Sequence, residues 1–473
     1  MKRYIKKLNT ELSILGFGLM RLPMNGDNWF DTKVFDLIRK SIELGVNYFD
    51  TGYYYQNERS EELIREALVK RIEREKFYIA DKLPVWDCHS RDDMERILKI
   101  QLERLGVEYI DFYLLHALHK MRWKDIYEKG VLDFLEDKKK KGIIKHVGFS
   151  FHDSAENMKT VIESYDWDFA QIQLNYYDWE VLNTKENYYM LLEKNIPCIT
   201  MESVGGGRLS VLPPDAEQVF SAIHPDWSSS AWAMHFVSSL PNVAVVLSGM
   251  NSKKQLEDNI RNCNQSYLLE EDEKNAIYKV VNILRSKKSI PCTSCRYCVS
   301  ECLQKIDIPQ VFKAYNDYMI FDSPYFFDIA YNLLAGYPRA ENCIGCGKCM
   351  TKCPQRIDIP GQMKKIQSIA VEREMGIGRI DTDFIVCFGC GDYGKRVFSY
   401  LESAKVNTIL FSDNNSNLWG QLFCGCRVIE PSVINKLIEK NKGKIIITTQ
   451  RYYHEVLKQI IKMGIAKDQI LNK

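Results

Sequence analysis

The feature that most constrains this chain is a ladder of eight cysteines past its middle. It reads Cys292-Thr-Ser-Cys295-Arg-Tyr-Cys298-Val-Ser-Glu-Cys302, then Cys343-Ile-Gly-Cys346-Gly-Lys-Cys349-Met-Thr-Lys-Cys353-Pro354. Each copy has three cysteines two residues apart and a fourth three residues further on. The sequels match as well: Lys305-Ile-Asp-Ile-Pro309 follows the first copy and Arg356-Ile-Asp-Ile-Pro360 the second. An internal duplication of this kind points to a site that needs thiols at fixed spacing. The rest of the chain falls on either side of it.

The 473 residues are too many for one hydrophobic core, so two to four domains are expected. A formal net charge of +2 argues against nucleic acid or acidic lipid as a partner. The start, Met1-Lys-Arg-Tyr-Ile, has no apolar run of signal-peptide length, and no stretch of about 18 apolar residues exists. A cytoplasmic setting is expected. In a reducing compartment fifteen cysteines argue for metal rather than disulfides.

Before the ladder, apolar strand-like runs recur roughly every 30 residues with helical periodicity between them. They are Ser13–Phe17, Asn47–Phe49, Phe77–Ala80, Ile110–Leu115, His146–Phe149, Ala170–Leu174, Cys198–Met201 and Val243–Leu247. Helices are expected over Lys33–Leu44, Ser60–Arg71, Arg91–Leu105 and Asp153–Ser164. Eight such units favour an α/β fold closed as a (β/α)8 TIM barrel over an open doubly wound sheet. A barrel carries its chemistry at the C-terminal ends of its strands. Polar residues stand there: Asp50, Lys82, His116, Ser150, Gln171 and Glu202, with Tyr55 in the loop after the second strand.

These residues carry a resemblance. Asn47-Tyr-Phe-Asp-Thr-Gly-Tyr-Tyr-Tyr55, Ala80-Asp-Lys82, Asp111-Phe-Tyr-Leu-Leu-His116, Gly148-Phe-Ser150, Gln171-Ile-Gln-Leu-Asn175 and Leu247-Ser-Gly-Met-Asn with Asn259 resemble an aldo-keto reductase over roughly residues 8 to 285. The chemistry needs these residue types independently of the name. Carbonyl reduction requires hydride on carbon and a proton on oxygen. A phenol is a poor acid at neutral pH until a nearby cation lowers its pKa. Lys82 is expected to be that cation, Asp50 to hold it, His116 to orient the carbonyl as a neutral imidazole, and Tyr55 to donate the proton. The resemblance implies nicotinamide contacts at Ser150 and Gln171, with further cofactor contacts at Gly249 and Asn259. Phe151 stands where many relatives have Asn. Gln255 stands where NADPH users often carry Arg, and Lys253 and Lys254 are the residues that could compensate, so the reading of NADH or NADPH leans to NADH or to loose selectivity. The glycine-rich run from Met201 to Leu209 offers backbone that can approach a pyrophosphate.

The ladder spacing is that of bacterial proteins carrying two [4Fe–4S] clusters, in which three thiolates grip one cube and the fourth grips the other. Cys292, Cys295, Cys298 and Cys353 are expected on one cluster, and Cys343, Cys346, Cys349 and Cys302 on the second. Zinc is the rival metal. About 40 residues separate the copies, with a helix-like stretch at Pro309–Tyr318, so a helical two-cluster ferredoxin domain is expected. The combination resembles the iron–sulfur aldo-keto reductases.

After a charged stretch at Val371–Asp383, a strand runs into Gly389-Cys-Gly391-Asp-Tyr-Gly394, and a second ends in Asp413. Strand, G-x-G-x-x-G, helix and later acid form a Rossmann-like signature. At roughly 90 residues the tail is half a full dinucleotide domain, which favours docking or regulation over binding NAD or a sugar nucleotide. Cys387, Cys390, Cys424 and Cys426 read as packing residues rather than metal ligands.

The expected plan is a barrel over 1–285, a two-cluster domain over 286–370 and a Rossmann-like domain over 380–473. The expected function is NAD(P)H-dependent hydride transfer to and from a small carbonyl or alcohol substrate, with the clusters exchanging electrons and an electron-carrier protein as an expected partner. The competing readings are an electron-transfer or assembly protein whose barrel is a docking platform, and a reductase regulated by nucleotide bound to the tail.

Overall fold

The computed structural model describes residues 2–20, 22–23, 31–263, 267–287, 290–292, 296–321, 324–334, 336–376, 380, 382–449 and 452–471. It divides into two compact units, Met1–Ser286 and Lys287–Lys473.

The first unit opens with an antiparallel hairpin, β1 (Lys2–Ile5) and β2 (Thr10–Ser13). Eight parallel strands follow: β3 (Leu15–Gly18), β4 (Tyr48–Asp50), β5 (Tyr78–Leu83), β6 (Ile110–Leu118), β7 (Ile144–Phe151), β8 (Phe169–Gln173), β9 (Cys198–Met201) and β10 (Val243–Ser248). They close in sequence order, with β10 pairing back to β3.

Strand alternation sets what the barrel contains. Tyr48, Ala80, Phe112, Leu114, Phe169, Ile199, Val245 and Leu247 form one buried cluster, closed by Ile5, Leu8 and Leu12 of the hairpin segment. Two residues further along the same strand faces come Asp50, Lys82, His116 and Gln171. The interior is therefore apolar low down and polar in its last layer. The alternate residues, such as Phe49, Ile79, Tyr113 and Phe149, join the larger core between strands and helices. Gly148 is required by this packing, because a Cβ there would lie 2.6 Å from the Phe169 ring.

Local signals place the helices. Arg91–Leu105 begins at a reciprocal Ser90–Asp93 cap and ends at Gly106, whose φ is +68°. The expected first strand divides, with Ser13 closing the hairpin and Leu15 opening the barrel. The helix expected over Ser60–Arg71 is α-helical only to Ile64 and widens to π geometry over Arg65–Val69.

The second unit holds a helical segment and a small sheet. The duplicated sequence folds as a duplicate. Arg296 and Gly347 both take left-handed backbone, as do Lys305 and Arg356. Asp358 caps the helix Ile359–Met375, and the matching helix is Ile308–Phe321. Ile306, Ile308, Val311, Phe312, Ile357, Ile359 and Met363 form their shared core with Cys298 and Cys349.

The sheet comprises β11 (Phe384–Phe388), β12 (Thr408–Ser412), β13 (Leu422–Phe423), β14 (Cys426–Ile429) and β15 (Lys444–Ile447), in the order β13-β14-β12-β11-β15. All pairings are parallel except β13 with β14. Helix Asp392–Ser403 covers one face, and Ile434–Asn441 and Tyr453–Lys462 the other. The stretch read as a charged linker starts inside a helix: Val371 is buried in the core of the sheet domain, and Arg396 pairs with Glu374 at 3.1 Å. The hairpin at β13 and β14 had no signal beyond the glycines that flank it.

Among the described residues no helix is long and apolar enough to cross a membrane.

Candidate active site and cysteine cavities

The last polar layer of the barrel brings four of the expected residues together. Lys82 Nζ donates to Asp50 Oδ1 at 2.7 Å and to the Thr51 carbonyl, and both charged side chains are buried. The ammonium lies 4.8 Å from the centre of the Tyr55 ring, which stands 5.9 Å from the His116 ring. Burial pulls the Lys82 ammonium down, but Asp50, Tyr55 and Asp81 outweigh it and hold the group above its ordinary value. Burial pushes the Tyr55 phenol up; Lys82 pulls it down and Asp50 opposes that pull. Lys82 does pull the phenol down, but burial outweighs that pull and the net direction is upward. His116 is held well below its ordinary value, first by burial and then by Lys82, so the ring is neutral.

The backbone around these groups is constrained. Ala117, next to His116, has a φ of +53°, and its N–H donates to Ser150 Oγ at 2.7 Å. Gln56, Asn57 and Glu58, directly after Tyr55, are all left-handed. Arg104 secures that loop through Glu58, through Glu61 at 3.1 Å, and over the Tyr53 ring at 4.5 Å. Beneath it, Gln101 donates to the Lys82 carbonyl at 3.0 Å and accepts from Tyr113 at 2.6 Å.

Several buried polar atoms of the site have no hydrogen-bond partner among the described residues: Asp50 Oδ2, His116 Nδ1 and Gln171 Oε1. An unmet amide oxygen at Gln171 and the free O–H of Ser150 fit a carboxamide-bearing ligand such as nicotinamide. Asn259 donates to Ser248 Oγ at 2.9 Å, and Gly249 lies between them and Gly18 with room around its Cα. Gln255 is occupied as a cap, accepting from Asn251 N at 2.9 Å. Phe151 is buried beside Phe149, its ring on the outer face of β7.

Sequence reasoning missed the wall of the site. Trp86 lies 5.1 Å from the His116 ring, Tyr54 stacks on it at 6.1 Å, and Arg122 covers it at 4.6 Å. The available signal was position: Trp86 and Arg122 follow the ends of β5 and β6. The Arg104–Glu61 network was missed because a charged pair on helix faces reads as solvated surface.

In the second unit the ladder cysteines line two cavities. One is lined by Cys343, Cys346 and Cys349 together with Cys302. The other is lined by Cys292 and Cys298 together with Cys353. Cys295 lies outside the described residues. Ile308 and Ile359 belong to both walls. Among the described residues no group of His, Cys, Asp and Glu is gathered for a single metal ion. Thiols spread around an apolar cavity fit a larger body such as a cubane, whose irons lie at its corners.

In the sheet domain Gly389 has a φ of +126°, and a Cβ at Gly394 would lie 2.5 Å from the Gly389 carbonyl oxygen, so the turn requires both glycines. Gly391 precedes the helix Asp392–Ser403. The Asp413 carboxylate accepts from Cys390 N and from Asn415 N, both at 2.9 Å. It already binds the loop that it was expected to serve beside. Cys387, Cys390, Cys424 and Cys426 all pack into one core cluster.

Comparisons with known proteins bear on these three regions. The profile of the aldo/keto reductase family matches residues 14–282, that of a 4Fe-4S dicluster domain residues 291–359, and one described as C2185-like, N-terminal, residues 382–471. An uncharacterized oxidoreductase of Bacillus subtilis, YqkF, is 25% identical over 305 residues, covering 58% of this chain and 94% of that protein. The 7-acetyl-epi-neemfruitin B aldo-keto reductase of Melia azedarach is 30% identical over 155 residues, 29% of this chain and 46% of its own length. The solved structure of aldo-keto reductase AKR11C1 from Bacillus halodurans, in its holo form, shares the barrel fold, with a TM-score of 0.51 and 24% identity over 59% of this chain and 95% of that one.

Proposed function

The chain belongs to the aldo/keto reductase family, and on that premise we propose that it is an oxidoreductase that interconverts a carbonyl compound and its alcohol at the mouth of the barrel. The observation that carries this reading is the buried Lys82–Asp50 pair beneath Tyr55, beside a neutral His116. A bound nicotinamide supplies or accepts the hydride. Tyr55 hands its phenolic proton to the carbonyl oxygen as the C=O π pair moves onto that oxygen. Lys82 stabilises the phenolate that remains, and Asp50 keeps Lys82 in place. His116 donates a hydrogen bond to the same oxygen and orients it. Ser150 and Gln171 hold the carboxamide, and Gly249 and Asn259 serve the far end of the cofactor. With Gln255 engaged as a cap and Lys253 facing Glu257 at 3.6 Å, a 2′-phosphate gains no two-point partner there, which favours NADH.

The ladder holds iron–sulfur clusters, and the reading assigns two. Cys343, Cys346, Cys349 and Cys302 carry one; Cys292, Cys295, Cys298 and Cys353 carry the other. Clusters of this type exchange single electrons, which suits an electron-carrier protein as partner. A reducing cytoplasm keeps their thiolates available. The tail, with Asp413 committed to its own loop, suits docking or regulation rather than dinucleotide binding.

The test is oxidation of NADH and NADPH by a panel of aldehydes and ketones, with Tyr55→Phe alongside. Reduction that falls roughly 100- to 10,000-fold in the variant supports the reading. No carbonyl reduced, or an unimpaired variant, leaves the barrel as a docking platform.

A further inference from the structure

Beside the Tyr55 site stands a cation that no carboxylate among the described residues answers. Arg122, on the helix Lys120–Glu128, donates to the Ala117 carbonyl at 3.0 Å and lies over Trp86. Burial pulls its guanidinium below the ordinary value, and no acid among the described residues acts to raise it. Asp87, next to Trp86, accepts from the Tyr54 hydroxyl at 2.7 Å instead. Burial, then Lys82, His152 and Arg122, hold His116 well below its ordinary value, and burial with Arg122 holds His119 below its own, so the flanking imidazoles are neutral. The Trp86 ring touches the guanidinium on one side and His116 on another.

A stacked guanidinium retains free N–H groups in its own plane, the arrangement that meets an oxyanion at two points. A partly desolvated cation without an internal partner gains more from such a ligand than an exposed one. Resting on the reductase reading of the site, we propose that Arg122 and Trp86 form a second substrate subsite. It takes the oxyanion of a carbonyl compound that also carries a carboxylate or phosphate, with the apolar stem between the two groups lying along Trp86. The plain alternative is that Arg122 only braces Trp86.

The experiment uses the full-length protein with its clusters. Substrates are para-carboxybenzaldehyde, its methyl ester and para-formylphenyl phosphate. Benzoate and benzamide serve as non-reacting ligands followed by tryptophan fluorescence. The wild type prefers an anionic aldehyde to the ester, and Arg122→Met lowers that preference roughly 10- to 100-fold, through KM rather than kcat. Arg122→Lys retains part of it. Benzoate affinity falls by a similar factor, and benzamide affinity does not. Preference for either anion supports the subsite and identifies which oxyanion it takes. Equal preference in wild type and Arg122→Met, or benzoate binding indifferent to the substitution, overturns it. Arg122-dependent benzoate binding without reduction of any aldehyde keeps the subsite and overturns the reductase reading alone.

Discussion

Lys82 Nζ lies 2.7 Å from Asp50 Oδ1 inside the barrel, where neither side chain reaches solvent. The pair joins β5 to β4 above the apolar layers of the barrel interior, so stability and chemistry depend on the same contact.

Removing one partner of a buried pair strands the other. Lys82→Met is expected to cost roughly 3–5 kcal/mol, with Asp50→Asn added to it recovering part of the loss. The lysine is held above its ordinary value, so its contribution is complete below an unfolded-state pKa of about 10.4 and is lost as pH rises through the folded value. The gap between wild type and Lys82→Met in urea denaturation therefore stays constant from about pH 7 to pH 10 and narrows only above that.

The pH dependence of kcat/KM reports the free enzyme. Tyr55 is pushed up and His116 well down, so the phenol is protonated and the imidazole neutral throughout the neutral range. The carbonyl-reduction profile is expected to be flat from about pH 6.5 to about pH 10. An alkaline limb near neutrality would mean that Lys82, not burial, dominates the phenol.

Cys302 and Cys353 each line the cavity of the other copy. The double variant Cys302→Ala, Cys343→Ala removes two ligands from one cluster and is expected to leave about four irons per chain of about eight. Cys302→Ala with Cys292→Ala damages both and leaves few. Equal iron content in the two double variants, measured anaerobically with EPR, would contradict the crossed pairing.

Arg104 secures a loop in which three consecutive residues are left-handed, at roughly 1–2 kcal/mol each. Arg104→Met also leaves the buried Glu61 without its cation. The expected outcome is a lower Tm and a kcat/KM reduced by roughly tenfold or more as Tyr55 loses its fixed position. Glu58→Gln, on the exposed side of the same contact, has the smaller effect on both measurements.

Much of the barrel was legible because strand alternation and helix amphipathicity repeat eight times, and because Asp50, Lys82, His116 and Gln171 each follow an apolar residue two positions earlier. The ladder was legible because its spacing is chemical. The hairpin at Lys2–Ser13 was not, since two four-residue strands with mixed polarity carry no period of their own. Nor was the Arg122–Trp86 contact, which joins residues 36 apart in the segments that follow the paired strands β5 and β6. The direction of the Tyr55 shift depends on burial set against the pull of Lys82, and residue identity conveys neither magnitude.

The most direct measurement uses nicotinamide deuterated at its transferring position, with a reducible aldehyde and the full-length protein. Mass spectrometry of the alcohol is expected to find the deuterium on the former carbonyl carbon, with product formation collapsing in Tyr55→Phe. Alcohol formed without deuterium from either face of the cofactor, or formed equally well by Tyr55→Phe, would contradict hydride transfer at this site.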